Sequence, residues 1–345
     1  MAENLLVHVV GSVPLAGAED VFRAVAGSVG PYLKRLPDGE TGPRKLWIGM
    51  ISDMLDKHPA LEIDPEVPPF AMKLWTGEVH RTLKRLRFRA GVTPKEVSFT
   101  TGYGAMAIDS FAIFDRLQRA GTIPAGVKFQ VAIPSPFAPT YNYISKKWRG
   151  AFLDVFTTHL CNEVAQIAKA LPNGRIAIQW DVLQEILAWE NYFTDRDDDY
   201  MSQIRTTLGR IGNAVPTEME LGYHLCYGSP KDEHLVQPKD TATMVGLIGE
   251  ILKEVKRPIQ FFHLPVPKQR TDADFYKPLA TLGLPSTCEL HLGLVHLNDD
   301  DGNRARLAAA RPFVKVDGVG TECGWGRGDP ERVRALLEAH RKLVA

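Results

Sequence analysis

Eight times along this chain a short apolar run is followed by a segment with helical spacing, and this alternation narrows the available folds more than any other feature. The runs are Leu5–Val10, Glu96–Thr101, Val127–Pro134, Arg175–Asp181, Thr217–Cys226, Pro258–Leu264, Thr287–Leu297 and Phe313–Val319. Helical periodicity follows each of them, as in Glu19–Val29, Lys147–Leu171 and Pro330–Val344. Eight such units in 345 residues predict an α/β fold, a TIM (β/α)8 barrel with inserted loops and extra helices, ahead of a doubly wound open sheet. No linker divides the chain, so residues 1–345 read as a single domain. Lys34–Arg44, with two prolines and two glycines, reads as a loop and Pro59–Pro69 as an excursion. Lys45–His58 reads as a helix and Arg81–Arg89 as a solvated basic helix face.

Composition excludes several classes of function. Lys+Arg and Asp+Glu balance at 41 each, which argues against a nucleic-acid or membrane-surface partner. No window approaches twenty unbroken apolar residues, and Met1–Val10 lacks the pattern of a signal peptide, so a cytoplasmic protein is expected. Four scattered cysteines, Cys161, Cys226, Cys288 and Cys323, do not make a disulfide framework and read as thiols or metal ligands. The glycines around Cys323 do not open a helix as a phosphate loop does. The acidic run Asn298–Asp301 lacks the alternating ligands of a calcium loop.

In a TIM barrel the chemistry sits at the C-terminal ends of the strands. Those ends carry Gly11-Ser12, then Gln179-Trp180-Asp181, His224-x-Cys226, His263 and His296, with Cys323 in the glycine-rich loop after the last strand. His224 and Cys226 stand two apart, which puts both on one face of a strand. Thiolate and imidazole are the usual ligands of zinc, so Zn2+ is the expected cofactor. His296 could serve as a proton donor or as a buried structural histidine. The aromatic residues Trp47, Tyr103, Phe137, Tyr141, Tyr143 and Trp180 would either receive a flat ring or cover the barrel mouth.

These segments resemble the catalytic, C-terminal barrel of cobalamin-independent methionine synthase, within the superfamily that also holds uroporphyrinogen decarboxylase. The opening VHVVGSVP, the acidic loop LPDGETGPRKLW, the strand IAIQWD, the zinc motif HLCYGS and the late ECGWGR follow that family's order over nearly the whole chain. The resemblance implies zinc held by His224, Cys226 and Cys323, and a small-molecule thiol acceptor whose amino-acid end is read by Ser12, Glu40 and Asp181. Asp38 and Trp180, in the same motifs, join the expected substrate contacts, and Asp181 and His296 the expected catalytic pair.

Three departures shape the expectation. The family's zinc-binding glutamate on strand six is replaced within FFHLPVP, where His263 is the expected substitute, with Glu289 and Glu322 as alternatives. A folate-binding tryptophan segment is not evident in IPSPFAPTYNYI, and the proton relay becomes His296 and Asn298. The reading is therefore a zinc-dependent methyl or alkyl transferase acting on a thiol, with a donor other than methyltetrahydrofolate, for example a methoxylated aromatic. A methylfolate-dependent methionine synthase is the alternative, followed by a uroporphyrinogen-decarboxylase-like lyase and a non-catalytic zinc-binding protein.

Overall fold

The computed structural model describes residues 5–230 and 234–345, with the side chains of residues 43 and 46–48 left out, so Trp47 lies outside the described side chains. Its centre is one sheet of eight parallel strands. In chain order they are β1 (Leu6–Val7), β2 (Arg35–Pro37), β3 (Lys128–Pro134), β4 (Ile176–Val182), β5 (Glu220–Leu225), β6 (Phe261–Pro265), β7 (Glu289–Gly293) and β8 (Gly318–Val319). Each strand pairs with the next from β2 to β8, and β8 returns to pair with β1. The remaining seam between β1 and β2 is bridged just beyond the strands, where the Val13 N–H donates to the Gly39 carbonyl at 2.9 Å. The buried amide of Gln130 on β3 also donates to the Val9 and Val10 carbonyls at 3.0 and 2.9 Å. This is a TIM-type α/β barrel with helices packed around it. Among the described residues no helix is long and apolar enough to cross a membrane.

Two expected elements are corrected. The second strand is Arg35–Pro37, inside the segment expected to be a loop, and not Glu96–Thr101. Arg35 and Pro37 disguise it. Proline is tolerated because β2 pairs by the ladder with β3 alone, and the arginine faces a polar barrel floor. Phe99 is apolar for another reason, since its ring packs against Phe152 and Phe156 of the helix Arg149–Ala170. Arg81–Arg89 is likewise no helix. Leu61–Ile63 pairs with Leu86–Phe88, and Phe70–Lys73 with Val79–Leu83, as two antiparallel ribbons in an excursion after β2. Arg85 within it is buried, not solvated, donating to the Tyr141 carbonyl at 2.6 Å and lying over the Phe70 ring.

The barrel floor, where strands begin, is a closed ionic network. Arg35 donates to Glu220 at 2.5 Å and to Glu289 at 2.7 Å, while Lys34 also reaches Glu289 and Lys128 reaches Glu220 at 3.0 Å. His291 adds a contact to Glu289 at 3.1 Å. Glu289 is thereby consumed at the wrong end of the barrel to hold a metal at its mouth. Burial alone would raise its pKa, but the His291 and Arg35 contacts hold it well below the ordinary carboxylate range.

Candidate metal and substrate site

The strand pleat decides which side chains reach the barrel interior. Asp181 on β4 is in register with His224 on β5, His224 with His263 on β6, and His263 with His291 on β7, so one line of polar side chains runs around the interior. Trp180 precedes Asp181 and must therefore face the other way. It is in register with Tyr223, whose hydroxyl lies against the helix residue Gly212, and it is completely buried. Trp180 is thus part of the sheet–helix packing and is not a substrate contact. Phe137 and Tyr141, stacked at 5.2 Å, and Tyr143 are also buried in the core and do not form an open rim.

His224, at the end of β5, Cys226, just beyond it, and Cys323, in the loop after β8, come together. One donor atom from each lies within 4.8 Å of the others, and among the described residues they form the group of this kind that could hold a metal ion. The Cys226 and Cys323 sulfurs are 3.8 Å apart. Two sulfurs bound to zinc at about 2.3 Å and the tetrahedral angle stand roughly 3.8 Å from each other, so the spacing fits the ion. His224 Nε2 is buried and, among the described residues, has no hydrogen-bond partner, as a nitrogen reserved for a metal should be. The two thiols share a proton unequally. Hydrogen bonding from Cys226, with Arg327 and His224 nearby, draws Cys323 well below the ordinary thiol range, while the same hydrogen bond and burial drive Cys226 well above it. Arg327 Nη2 stands 3.4 Å from the Cys323 sulfur.

The loop carrying Cys323 is tied to the first strand. The Trp325 N–H donates to the Ser12 carbonyl at 2.6 Å, and the Gly326 N–H to the Ser12 hydroxyl at 3.2 Å. A Cβ at Gly324 would sit 2.3 Å from that hydroxyl, so only glycine allows the loop to come this close. Ser12 thus anchors the thiol loop through its hydroxyl.

Beside the thiols lies an acidic pocket. Glu40 adopts a left-handed backbone at φ 47°, where its N–H donates to Asp38 Oδ1 at 3.0 Å. Its carboxyl is directed at Gly11, where any Cβ would collide with it at 2.3 Å. Asp38 is engaged by Arg44 at 2.5 Å, so it shapes this loop and leaves Glu40 as the presented acid. Burial first, then the charge of Asp181, pushes the Glu40 pKa well above the ordinary range, with Arg44 opposing. Asp181 is pushed up by burial and by Cys323, against a 2.8 Å hydrogen bond from Gln179. Among the described residues the buried Tyr103 hydroxyl and Arg44 Nε also have no hydrogen-bond partner, and both lie within electrostatic reach of Glu40.

The other expected residues stand further back. His263 is not in the thiol group; its Nδ1 is 2.8 Å from His224 Nδ1, behind the imidazole. Glu322 turns to His234, 2.9 Å from its Nε2, with His296 Nδ1 at 3.9 Å. His296 donates its Nε2–H to the Val266 carbonyl at 2.9 Å. Sequence reasoning missed Arg327, whose signal was its place in the same glycine loop as Cys323. It also missed Met72, His80 and Arg81, which the ribbons bring to the wall of an open cavity of about 880 Å³ that includes Asp181, His224, Cys226 and Cys323.

With this geometry established, the chain can be compared with solved structures. A B12-independent methionine synthase from Shewanella sp. W3-18-1, in complex with selenomethionine, matches at 14% identity and TM-score 0.57, over 99% of this chain and 97% of that one. A putative vitamin-B12 independent methionine synthase from Listeria monocytogenes matches at 15% identity and TM-score 0.55, over 99% of both. The chain shares their fold. A methyltransferase from Methanosarcina mazei has it too, at 13% identity and TM-score 0.52, over 100% of this chain and 96% of that one. No sequence-family model matches the chain, and no curated protein matches it.

Proposed function

We propose that this protein is a zinc-dependent transferase that moves a methyl or other alkyl group to a thiol. The observation that carries the reading is the convergence of His224, Cys226 and Cys323 beside an acidic pocket, in a barrel shared with methionine synthases and a methyltransferase. Three protein donors leave a fourth tetrahedral position open, the arrangement of catalytic rather than structural zinc sites. Zinc held there would act as a Lewis acid, lowering the pKa of a substrate thiol.

The chain's own residues then divide the remaining work. Burial pushes the pKa of both Glu40 and Asp181 well above the ordinary range, and the charge of Asp181 adds to the effect at Glu40. A cationic amine between them would let both ionise and would be bound by charge-assisted hydrogen bonds. The acceptor favoured by this pair is an aminothiol of the homocysteine kind. The Cys226 hydrogen bond, with Arg327 and His224 beside it, draws the Cys323 thiol well below its ordinary pKa range. His296 keeps Nδ1 available for proton exchange, facing Glu322 at 3.9 Å in a cavity that Cys323 also lines. Met72 and the ribbon wall favour an apolar donor body, and the absence of a folate segment from IPSPFAPTYNYI supports a donor other than methyltetrahydrofolate.

Metal analysis of purified protein should give about one zinc per chain, as a mononuclear site requires. Zinc-loaded protein should then be screened by mass spectrometry for alkylation of thiols by methylfolates and methoxylated aromatics. Protein that neither contains nor takes up zinc would overturn the reading. Methionine formed from methyltetrahydrofolate and homocysteine at about one turnover per second, an ordinary enzymatic rate, would make it a methionine synthase instead.

A further inference from the structure

The acids of the pocket account for one end of an amino acid and leave the other end unread. Ser12, expected to read it, spends its hydroxyl on the Gly326 N–H and its carbonyl on the Trp325 N–H. That junction instead brings two cations together. A Cβ at Gly326 would stand 2.7 Å from Ser12 Cβ and 3.5 Å from Lys45 Cγ, so the lysine stem passes over the glycine that precedes Arg327. Lys45 comes from the segment after β2 and Arg327 from the loop after β8. Both line the cavity that also holds Asp181, His224, Cys226 and Cys323.

Neither cation is spent on structure as Arg44 is, whose guanidinium is paired with Asp38. The Arg327 Nε–H donates to the Ser229 carbonyl at 3.1 Å, and Nη2 reaches the Ser229 hydroxyl and, at 3.4 Å, the Cys323 sulfur. These contacts fix the plane of the guanidinium through one edge. Nη1, which carries two of its five N–H donors, has no hydrogen-bond partner among the described residues, nor has Lys45 Nζ. Among the described residues no carboxylate forms an ion pair with either side chain, and both are exposed. The acid side is close by. The Glu40 carboxyl is directed at Gly11, one residue before Ser12, and Arg327 lies within its electrostatic reach. Acid and cations therefore meet the chain at successive residues, about 3.8 Å apart. An ammonium and a carboxylate carried on one carbon suit that spacing.

We propose that Lys45 and Arg327 are the specificity-determining residues of the acceptor site, receiving a carboxylate whose neighbouring amine lies at Glu40 and Asp181. The acceptor is then a thiol-bearing α-amino acid, and a plain aminothiol binds more weakly because it leaves the guanidinium without its anion. Arg327 contributes more than Lys45, since a planar fork matches a carboxylate where an ammonium offers a point charge. This rests on the aminothiol reading above and names the second group that the acceptor must carry.

The test uses ligands that need no zinc to bind: methionine and its decarboxylated analogue, 3-(methylthio)propylamine. Calorimetry on the full-length protein, with and without zinc, should show wild type binding methionine about 10–100-fold more tightly than the amine. Arg327→Gln should abolish most of that preference by weakening methionine alone, and Arg327→Lys should retain part of it. Lys45→Met should cost methionine about 2–5-fold, as an exposed charge does. Wild type that binds the two ligands equally, or binds neither, would overturn the proposal. So would an Arg327→Gln variant in which both ligands weaken by the same factor, since the arginine would then be acting through its tie to Ser229. Wild type that prefers methionine as expected yet takes up no zinc would defeat the proposed transfer and support the carboxylate site.

Discussion

The two ends of this barrel bury the same kinds of charge and treat them in opposite ways. At the floor, Arg35, Lys34, Lys128 and His291 satisfy Glu220 and Glu289 in a closed network. At the mouth, burial and the charge of Asp181 raise the pKa of Glu40, and burial and Cys323 raise that of Asp181. There His224 Nε2 and Tyr103 Oη have no hydrogen-bond partner among the described residues, and one strong pair, Arg44 with Asp38, is spent on loop shape. A paired network costs little to keep and does nothing further, whereas an unpaired one carries stored cost that a ligand can relieve. The floor therefore reads as structure and the mouth as site, in agreement with the general division of labour in this fold.

The sharpest way to break the comparison is at the thiols. Cys323→Ser should reduce zinc affinity by more than the 10–100-fold that loss of an outer-shell partner costs, with folding unaffected by urea titration. A variant that keeps its zinc would place the centre elsewhere. At the opposite end, Arg35→Leu leaves two carboxylates facing each other without their shared cation. It should cost about 3–5 kcal/mol of stability in the same titration while zinc content stays at wild-type level. If the two variants exchanged phenotypes, the ends would have been assigned the wrong way round.

A smaller effect is expected at Asp181. Asp181→Asn should weaken binding of an aminothiol by about 1.5–3 kcal/mol, the range for a hydrogen bond to a charged group, and leave zinc in place. Calorimetry with the amine-bearing thiol and its desamino analogue would show the loss confined to the former. The ends should also differ in the sign of their pH dependence. Glu40 and Asp181 have folded pKa values above their unfolded ones, near 4, so their contribution is full below that pH and is lost as pH rises through the raised values. Glu289 has a depressed folded pKa, so its contribution is full above the unfolded value and is lost as pH falls towards the folded one. Denaturation midpoints of the metal-free protein against pH should therefore lose their decline above about pH 4 in a Glu40→Gln, Asp181→Asn double variant. The smallest change is Ser12→Ala, which removes the acceptor for the Gly326 N–H and should cost about 1 kcal/mol.

How far the sequence could reveal this contrast differs residue by residue. His224 and Cys226 were legible because a two-residue interval on a strand fixes a common face, and Cys323 because glycines crowd it in the last loop. The same period should have separated Asp181 from Trp180, since neighbours on a strand cannot both face the interior. His263 was legible as an inward-facing strand residue. Its place behind His224 depended on the stagger between β5 and β6, which no single strand's pattern contains. The second strand stayed hidden because Arg35 belongs to the ionic floor and broke the apolar signal. Arg81 and Arg85 looked like a solvated helix because their positive charge was visible and their antiparallel pairing was not.

The excursion between β2 and the helix Tyr103–Arg119 has a consequence for how such a protein can diversify. Its ribbons supply their own backbone pairing, and Met72, His80 and Arg81 reach the cavity from outside the barrel. The zinc-fitting donors come from β5 and the loops after β5 and β8, and the buried acids Glu40 and Asp181 from the loop after β2 and from β4. Residues 61–88 can therefore be lengthened, shortened or rewritten, changing the cavity wall, while the group formed by His224, Cys226 and Cys323 is left intact. Grafting that segment between relatives would transfer a preference without transferring a mechanism.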